Sequence, residues 1–162
     1  MNKIKFLIIP LFVSFSVCLN AQKKGQSGAY YDYNVRCQGV EMDGTQTLES
    51  FGKGRNYWDA AEQAKKNAVH AVIFKGIKDG NGGCNRDPLL ISSSPEIAHE
   101  EYFAAFFTDE GPYSEYVSLQ DERIARKLRR DAKKSKQMQQ RKVVVRVDRL
   151  GLKKKLSGDN IK

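Results

Sequence analysis

Cysteine and histidine are the side chains here best suited to covalent or metal chemistry, and past residue 21 the chain holds only two of each: Cys37, Cys84, His70 and His99. An even cysteine count in a chain that reads as exported favours a Cys37–Cys84 disulfide. Closing that loop stabilises a fold by about 2–4 kcal/mol. Metal binding by the pair is not expected, because no histidine or third cysteine stands at ligand spacing from either. His70, between Val69 and Ala71, reads as a structural or surface histidine. The run His99-Glu100-Glu101-Tyr102-Phe103 superficially resembles a zinc-protease helix but lacks the second histidine four residues on. A Ser–His or Cys–His constellation would have to take its base from these two histidines, and paired cysteines supply no nucleophile. The expectation is therefore no catalytic residue, no metal and no cofactor.

Other motifs reduce to architecture. Asp79-Gly80-Asn81-Gly82-Gly83 has oxygen ligands suggestive of calcium, yet an EF-hand loop would need an acid or amide at 83 and Glu at 90, where Gly83 and Leu90 stand. It reads as a turn. Gly52-Lys53-Gly54-Arg55 precedes a helix start, where amides can hold an anion, but it lacks phosphate-loop spacing and reads as the exit of a hairpin. The adjacent pairs Glu100-Glu101 and Asp109-Glu110 read as solvated. The aromatics Tyr102, Phe103, Phe106, Phe107, Tyr113 and Tyr116 read mostly as core.

Charge is the stronger signal. Residues 22–120 carry 10 Lys/Arg against 14 Asp/Glu, and residues 121–162 carry 16 against 5. Such asymmetry draws a chain toward anions. The candidate anion-binding set is Arg123, Arg126, Lys127, Arg129, Arg130, Lys133, Lys134 and Lys136. The partners it implies are an anionic envelope surface or an acidic protein. Nucleic acid is not expected, since few aromatics interleave to stack bases.

The elements that must position these residues follow from periodicity. Tyr31, Tyr33, Val35 and Cys37 alternate with polar residues as in a half-buried strand, Asp43-Gly44 signals a hairpin, and 45–51 reads as the returning strand. Asn56 can cap a helix in which Ala60, Ala64, Ala68 and Val72 recur every fourth residue, about five turns ending near Gly76. Residues 78–88 read as a loop. Ser94-Pro95 opens a second helix with Ile97, Ala98, Tyr102, Ala105 and Phe106 as its buried stripe, widened by Phe103 and Phe107 and stopped by Gly111-Pro112. Residues 114–119 form a weak strand. Residues 121–140 read as a basic surface helix or a mobile arm. Val143 to Val147 is a strand suited to the sheet interior. Asp148 caps a last helix burying Leu150, Leu152 and Leu156, ended by Gly158. This order predicts one α+β domain over 29–120 plus 141–158, a mostly antiparallel sheet with helices packed on one face.

Asn2, Lys3 and Lys5 followed by an apolar run from Phe6 to Leu19 and a small residue at Ala21 read as a signal peptide over 1–21, with a loose leader over 22–28. That leaves 141 of the 162 residues, a length fitting one domain. Cleavage and lipid attachment at Cys18 is the rival, but Val17 and Phe15 depart from the pattern that chemistry uses. No later segment approaches a membrane span. The expected location is the periplasm, the outer membrane surface or the exterior.

The stretch Trp58 to Ile77 (WDAAEQAKKNAVHAVIFKGI) resembles a group of small exported bacterial envelope proteins of unknown function, a similarity that extends toward the Val143–Val147 strand. More loosely, the strand pair and Ala-every-fourth helix over 31–77 resemble the N-domain of flagellar accessory T proteins and related small surface lipoproteins. Both resemblances imply an envelope protein without known catalysis, and neither carries over functional residues. The basic run 123–136 and the residues ahead of Cys18 depart from the lipoprotein pattern. The expectation is a non-enzymatic binding or scaffolding module with a basic face. The alternative is a hydrolase of cell-wall or extracellular polymer using His70, His99 and nearby carboxylates.

Overall fold

The computed structural model describes residues 33–80, 82–120 and 139–162. The expected signal and leader, and residues 121–138 of the expected basic segment with every residue of the candidate anion-binding set, lie outside the described residues; Gln139 and Gln140, expected in that segment, instead begin β5. Chain order among those described is β1 (Val35–Val40), β2 (Gln46–Gly54), α1 (Tyr57–His70), a π-helical turn (Ala71–Lys75), β3 (Asp79–Gly80), α2 (Pro95–Ala98), α3 (Glu100–Phe106), a 3-10 turn (Pro112–Tyr116), β4 (Val117–Leu119), β5 (Gln139–Val147) and α4 (Arg149–Gly158). It is a single α+β domain. The sheet runs β3-β1-β2-β5-β4, antiparallel except where β3 pairs with Arg36 and Cys37 of β1 in parallel. That short parallel strand lies inside the stretch expected to be only a loop.

Period-two alternation separates the faces of the sheet. Val35, Cys37, Leu48, Val143, Val145 and Val147 enter one core cluster with α1, the Phe103–Phe107 aromatics and Leu152 and Leu156 of α4. As their β-branching suggests, Val145 and Val147 of β5 sit between two strands, with β2 on one side and β4 on the other.

Small residues bring α1 close to β2. Ala60, Ala61, Ala64 and Ala68 are fully buried, and a Cβ on Gly52 would lie 2.1 Å from the Ala60 carbonyl oxygen. Two polar ties cross the same contact: Ser50 Oγ donates to the Ala64 carbonyl at 2.8 Å and Asn67 Nδ2 to the Phe51 carbonyl at 2.7 Å. Each satisfies a buried polar group that would otherwise destabilise the contact. The expected Asn56 cap is present, its side chain accepting from the Asp59 amide at 2.9 Å.

The α-helical part of this helix ends at His70 rather than near Gly76. The Val72 and Ile73 carbonyls accept from the Leu89 and Leu90 amides at 3.0 and 2.9 Å, and the Gly76 amide reaches back to Ala71. A neighbouring loop thus takes carbonyls a continuing α-helix would use, and the backbone widens into a π-turn ending at Gly76, φ +75°.

The second helix departs from expectation. His99, at φ −128° and ψ 39°, divides it into α2 and α3. The two halves fall out of phase, so Ile97, Ala98 and Ala105 are exposed, while Pro95, Phe103, Phe106 and Phe107 are buried. Ser94 occupies the cap position, but its hydroxyl donates to Ser93 and leaves the helix amides alone. In α4 the Asp148 side chain accepts from the Gly151 amide and the helix ends at Gly158 as expected. Leu150 is half exposed, above the Gly44 turn, where a buried residue was expected.

Candidate functional site

Cys37 and Cys84 form a disulfide with Cα atoms 5.9 Å apart, both largely buried. A Cβ on Gly80 would lie 2.2 Å from the Cys37 carbonyl oxygen, and one on Gly82 would lie 2.3 Å from the Gly39 amide. The glycines read as a turn are thus where the loop backbone lies against β1, and the disulfide staples that contact.

His70 is not a surface residue. Buried on the last turn of α1, it holds the Tyr33 hydroxyl at Nδ1 and a Glu96 carboxylate oxygen at Nε2, the latter at 3.2 Å. An ionised carboxylate only accepts, so Nε2 carries the proton, Nδ1 accepts and the Tyr33 hydroxyl donates. Phe74 and Phe107 pack on the ring. Burial lowers the histidine's proton affinity, against the pull of Glu96. It also pushes the Tyr33 phenol well above its ordinary value, with the Glu96 charge adding to the rise. At neutral pH the cluster is a neutral phenol, a neutral imidazole and a carboxylate. A cavity of about 490 Å³ opens beside it, lined by Tyr33, Val35, Ala71, Lys75, Lys78 and Asp79 among others. The Lys75 ammonium sits 4.1 Å above the Tyr33 ring centre. Sequence spacing does not reveal this cluster, whose members lie 37 and 26 residues from His70. His99 lies at the break between α2 and α3, and Glu100 and Glu101 are solvated.

A second polar cluster lies on α1. Lys66, almost buried, pairs with Asp109 at 2.7 Å and lies 5.4 Å from the Tyr113 ring centre. Its hydrogen bond and charge hold the Asp109 carboxyl below its ordinary range. Tyr113 donates to Glu62, which also takes Lys65. These acids and cations neutralise one another.

The sheet's second face is different. Arg36, Lys53 and Lys142 are exposed on it and Arg146 is partly so. Glu49 pairs with Lys142 at 3.2 Å and Glu41 with Arg146. Phe51 and Val144 are half-buried among these charges. β5 begins at Gln139, which pairs with Gly54. Among the described residues no helix is long and apolar enough to cross a membrane, and no three His, Cys, Asp or Glu side chains group as a metal site.

Comparison with known protein families, with curated proteins and with solved structures returns no match for this chain.

Proposed function

We propose that this chain is an exported, non-enzymatic binding module of the bacterial envelope that uses its basic sheet face against an anionic partner. One observation carries the reading: the core lies on one side of the sheet, and the other side presents Arg36, Lys53, Lys142 and Arg146 against Glu41 and Glu49. Export rests on the signal-like start, and the disulfide suits an oxidising compartment. The resemblance to small exported envelope proteins points the same way. An anionic lipid or polymer surface and an acidic protein are the two partner classes this charge suits.

A hydrolase draws support from His70 lying between a hydroxyl and a carboxylate. Against it, the hydroxyl is a buried phenol held in its neutral form, a poor nucleophile.

Co-sedimentation of the full chain with phosphatidylglycerol vesicles and with phosphatidylcholine vesicles, at low and physiological salt, tests the basic face. Binding to the anionic vesicles that weakens with salt is expected. Equal recovery with both vesicle types at low salt would remove the lipid partner, and a negative result with an acidic protein surface as well would remove the reading.

A further inference from the structure

We propose that the cavity beside Tyr33 is a binding site for a small molecule carrying a carboxylate or phosphate group, held by Lys75 and Lys78. This site is separate from the basic sheet face, and its volume of about 490 Å³ suits a small ligand.

The cavity joins an apolar floor to cationic walls. Val35 and Ala71 are buried beneath it. Lys75 and Lys78 are exposed on its rim, and among the described residues neither is in an ion pair. Among the described residues that line it, Asp79 is the one carboxylate beside the two lysines. An oxyanion bridging two ammonium groups makes charge-assisted hydrogen bonds, stronger than neutral ones.

The wall that would meet the ligand is held in place. The Tyr33 hydroxyl is anchored on His70, and His70 on Glu96. The backbone leading to Lys75 is the π-turn tied to Leu89 and Leu90, and such turns recur at functional sites. The Tyr33 wall, locked from behind, adds little ordering cost to binding.

A consequence ties the cavity to pH. Among the described residues, the charged and titratable groups facing His70 are Tyr33 from the segment before β1, Glu96 from α2 and Lys75 from the π-turn; the Phe74 and Phe107 rings are neutral. Lys75 disfavours the imidazolium. An oxyanion on Lys75 offsets that repulsion, so occupancy raises the proton affinity of His70. By linkage, protonated His70 tightens the site.

The test uses the full chain, isotopically labelled, titrated with inorganic phosphate, with citrate and with uncharged glycerol. Amide shifts at Lys75 to Asp79 and the His70 ring titration are followed by NMR. Saturable shifts with phosphate or citrate and not with glycerol, and a His70 midpoint that rises on saturation, are expected. Lys75→Met/Lys78→Met should weaken binding by about tenfold or more with an unchanged melting temperature, and Lys75→Gln alone gives a milder check should the double variant unfold. Arg36→Ser and Lys142→Ser on the sheet face should leave it intact. Shifts that fail to saturate, that match between anions and glycerol, or that persist unchanged in both lysine variants would overturn the site. A His70 midpoint unmoved at saturation would overturn the coupling.

Discussion

Tyr33 and Glu96 meet opposite nitrogens of one buried imidazole, that of His70, so a residue just before β1 and a residue of α2 are tied through the last turn of α1. The tie needs a neutral ring: with Nε2 donating to the carboxylate, Nδ1 is free to accept the phenol proton. Replacing Tyr33 by Phe strands that nitrogen in a buried setting, a loss of about 1–3 kcal/mol. Urea unfolding of Tyr33→Phe measures it, and an unchanged midpoint would mean that the bond contributes nothing.

The same ring sets a pH dependence. Burial holds the folded-state pKa of His70 below its unfolded value of about 6.5. The unfolded chain therefore takes up the proton first as pH falls. The stabilising contribution is complete above about pH 6.5 and is lost as pH drops through the folded-state value. Melting temperature followed from pH 7.5 downward should fall more steeply for the native chain than for His70→Gln, which does not titrate there. Parallel curves would count against the neutral buried ring.

Gly52 and Gly39 make an internal pair of controls. A methyl on Gly52 meets the Ala60 carbonyl oxygen at 2.1 Å and the Ala64 amide at 2.4 Å, both backbone. Gly52→Ala must push α1 off the sheet and should cost about 1–3 kcal/mol or more. Gly39, with nothing within 4 Å, should tolerate Ala within about 0.5 kcal/mol. Comparable losses at the two sites would show that close helix–sheet approach is not what Gly52 provides.

What the sequence makes legible here is what local spacing encodes. The Asn56 and Asp148 caps, the alanine face of α1 and the interior valines of β5 are short-range patterns, and each lies where its spacing places it. Cys37 and Cys84 were joined by compartment and count, which need no geometry. The second helix misled because one backbone break at His99 cancels a periodicity argument, and nothing in His99 itself announces it. The π-turn depends on amides at Leu89 and Leu90, supplied from a loop outside any helical window. His70 looked ordinary because its partners are brought to it by the fold alone.

That break predicts an unequal pair of substitutions. Ile97 is 77% exposed and Phe103 is 2% exposed, although periodicity sets both on one stripe. Ile97→Asp should change stability by no more than about 0.5 kcal/mol, and Phe103→Ala should cost about 3–5 kcal/mol. Chemical denaturation of the two variants decides between the broken helix and a continuous one, in which Ile97→Asp would be the damaging change.

Removing the Cys37–Cys84 bond should loosen the turn carrying Gly80 and Gly82 first, because that backbone lies directly on β1. Cys37→Ala/Cys84→Ala should lose about 2–4 kcal/mol, and hydrogen exchange should speed up at β1 and β3 before it does at β2 and β5. The intact mass of the native chain should rise by two hydrogens on reduction. Two alkylatable thiols without reductant would contradict the bond.

The basic sheet face yields the sharpest quantitative test of the proposed function. Arg36, Lys53 and Lys142 stand exposed on it, and each basic residue near an anionic lipid surface contributes about 1 kcal/mol. Changing all three to Ser leaves the core untouched, since none of them enters it. Affinity for phosphatidylglycerol vesicles at low salt should then fall by about thirtyfold to a hundredfold, roughly 2–3 kcal/mol, since Glu49 already engages part of the Lys142 charge. Raising salt to physiological strength shortens the Debye length to about 8 Å and should shrink the gap between native chain and variant, because the lost attraction is long-ranged. Arg146 stays in place, paired with Glu41 as Lys142 is with Glu49 in the native chain. Should the triple variant bind as the native chain does at low salt, the sheet face is a solvated surface; deleting residues 121–138 from the triple variant should then abolish binding, and persistence even so would end the account that places binding on these two basic regions.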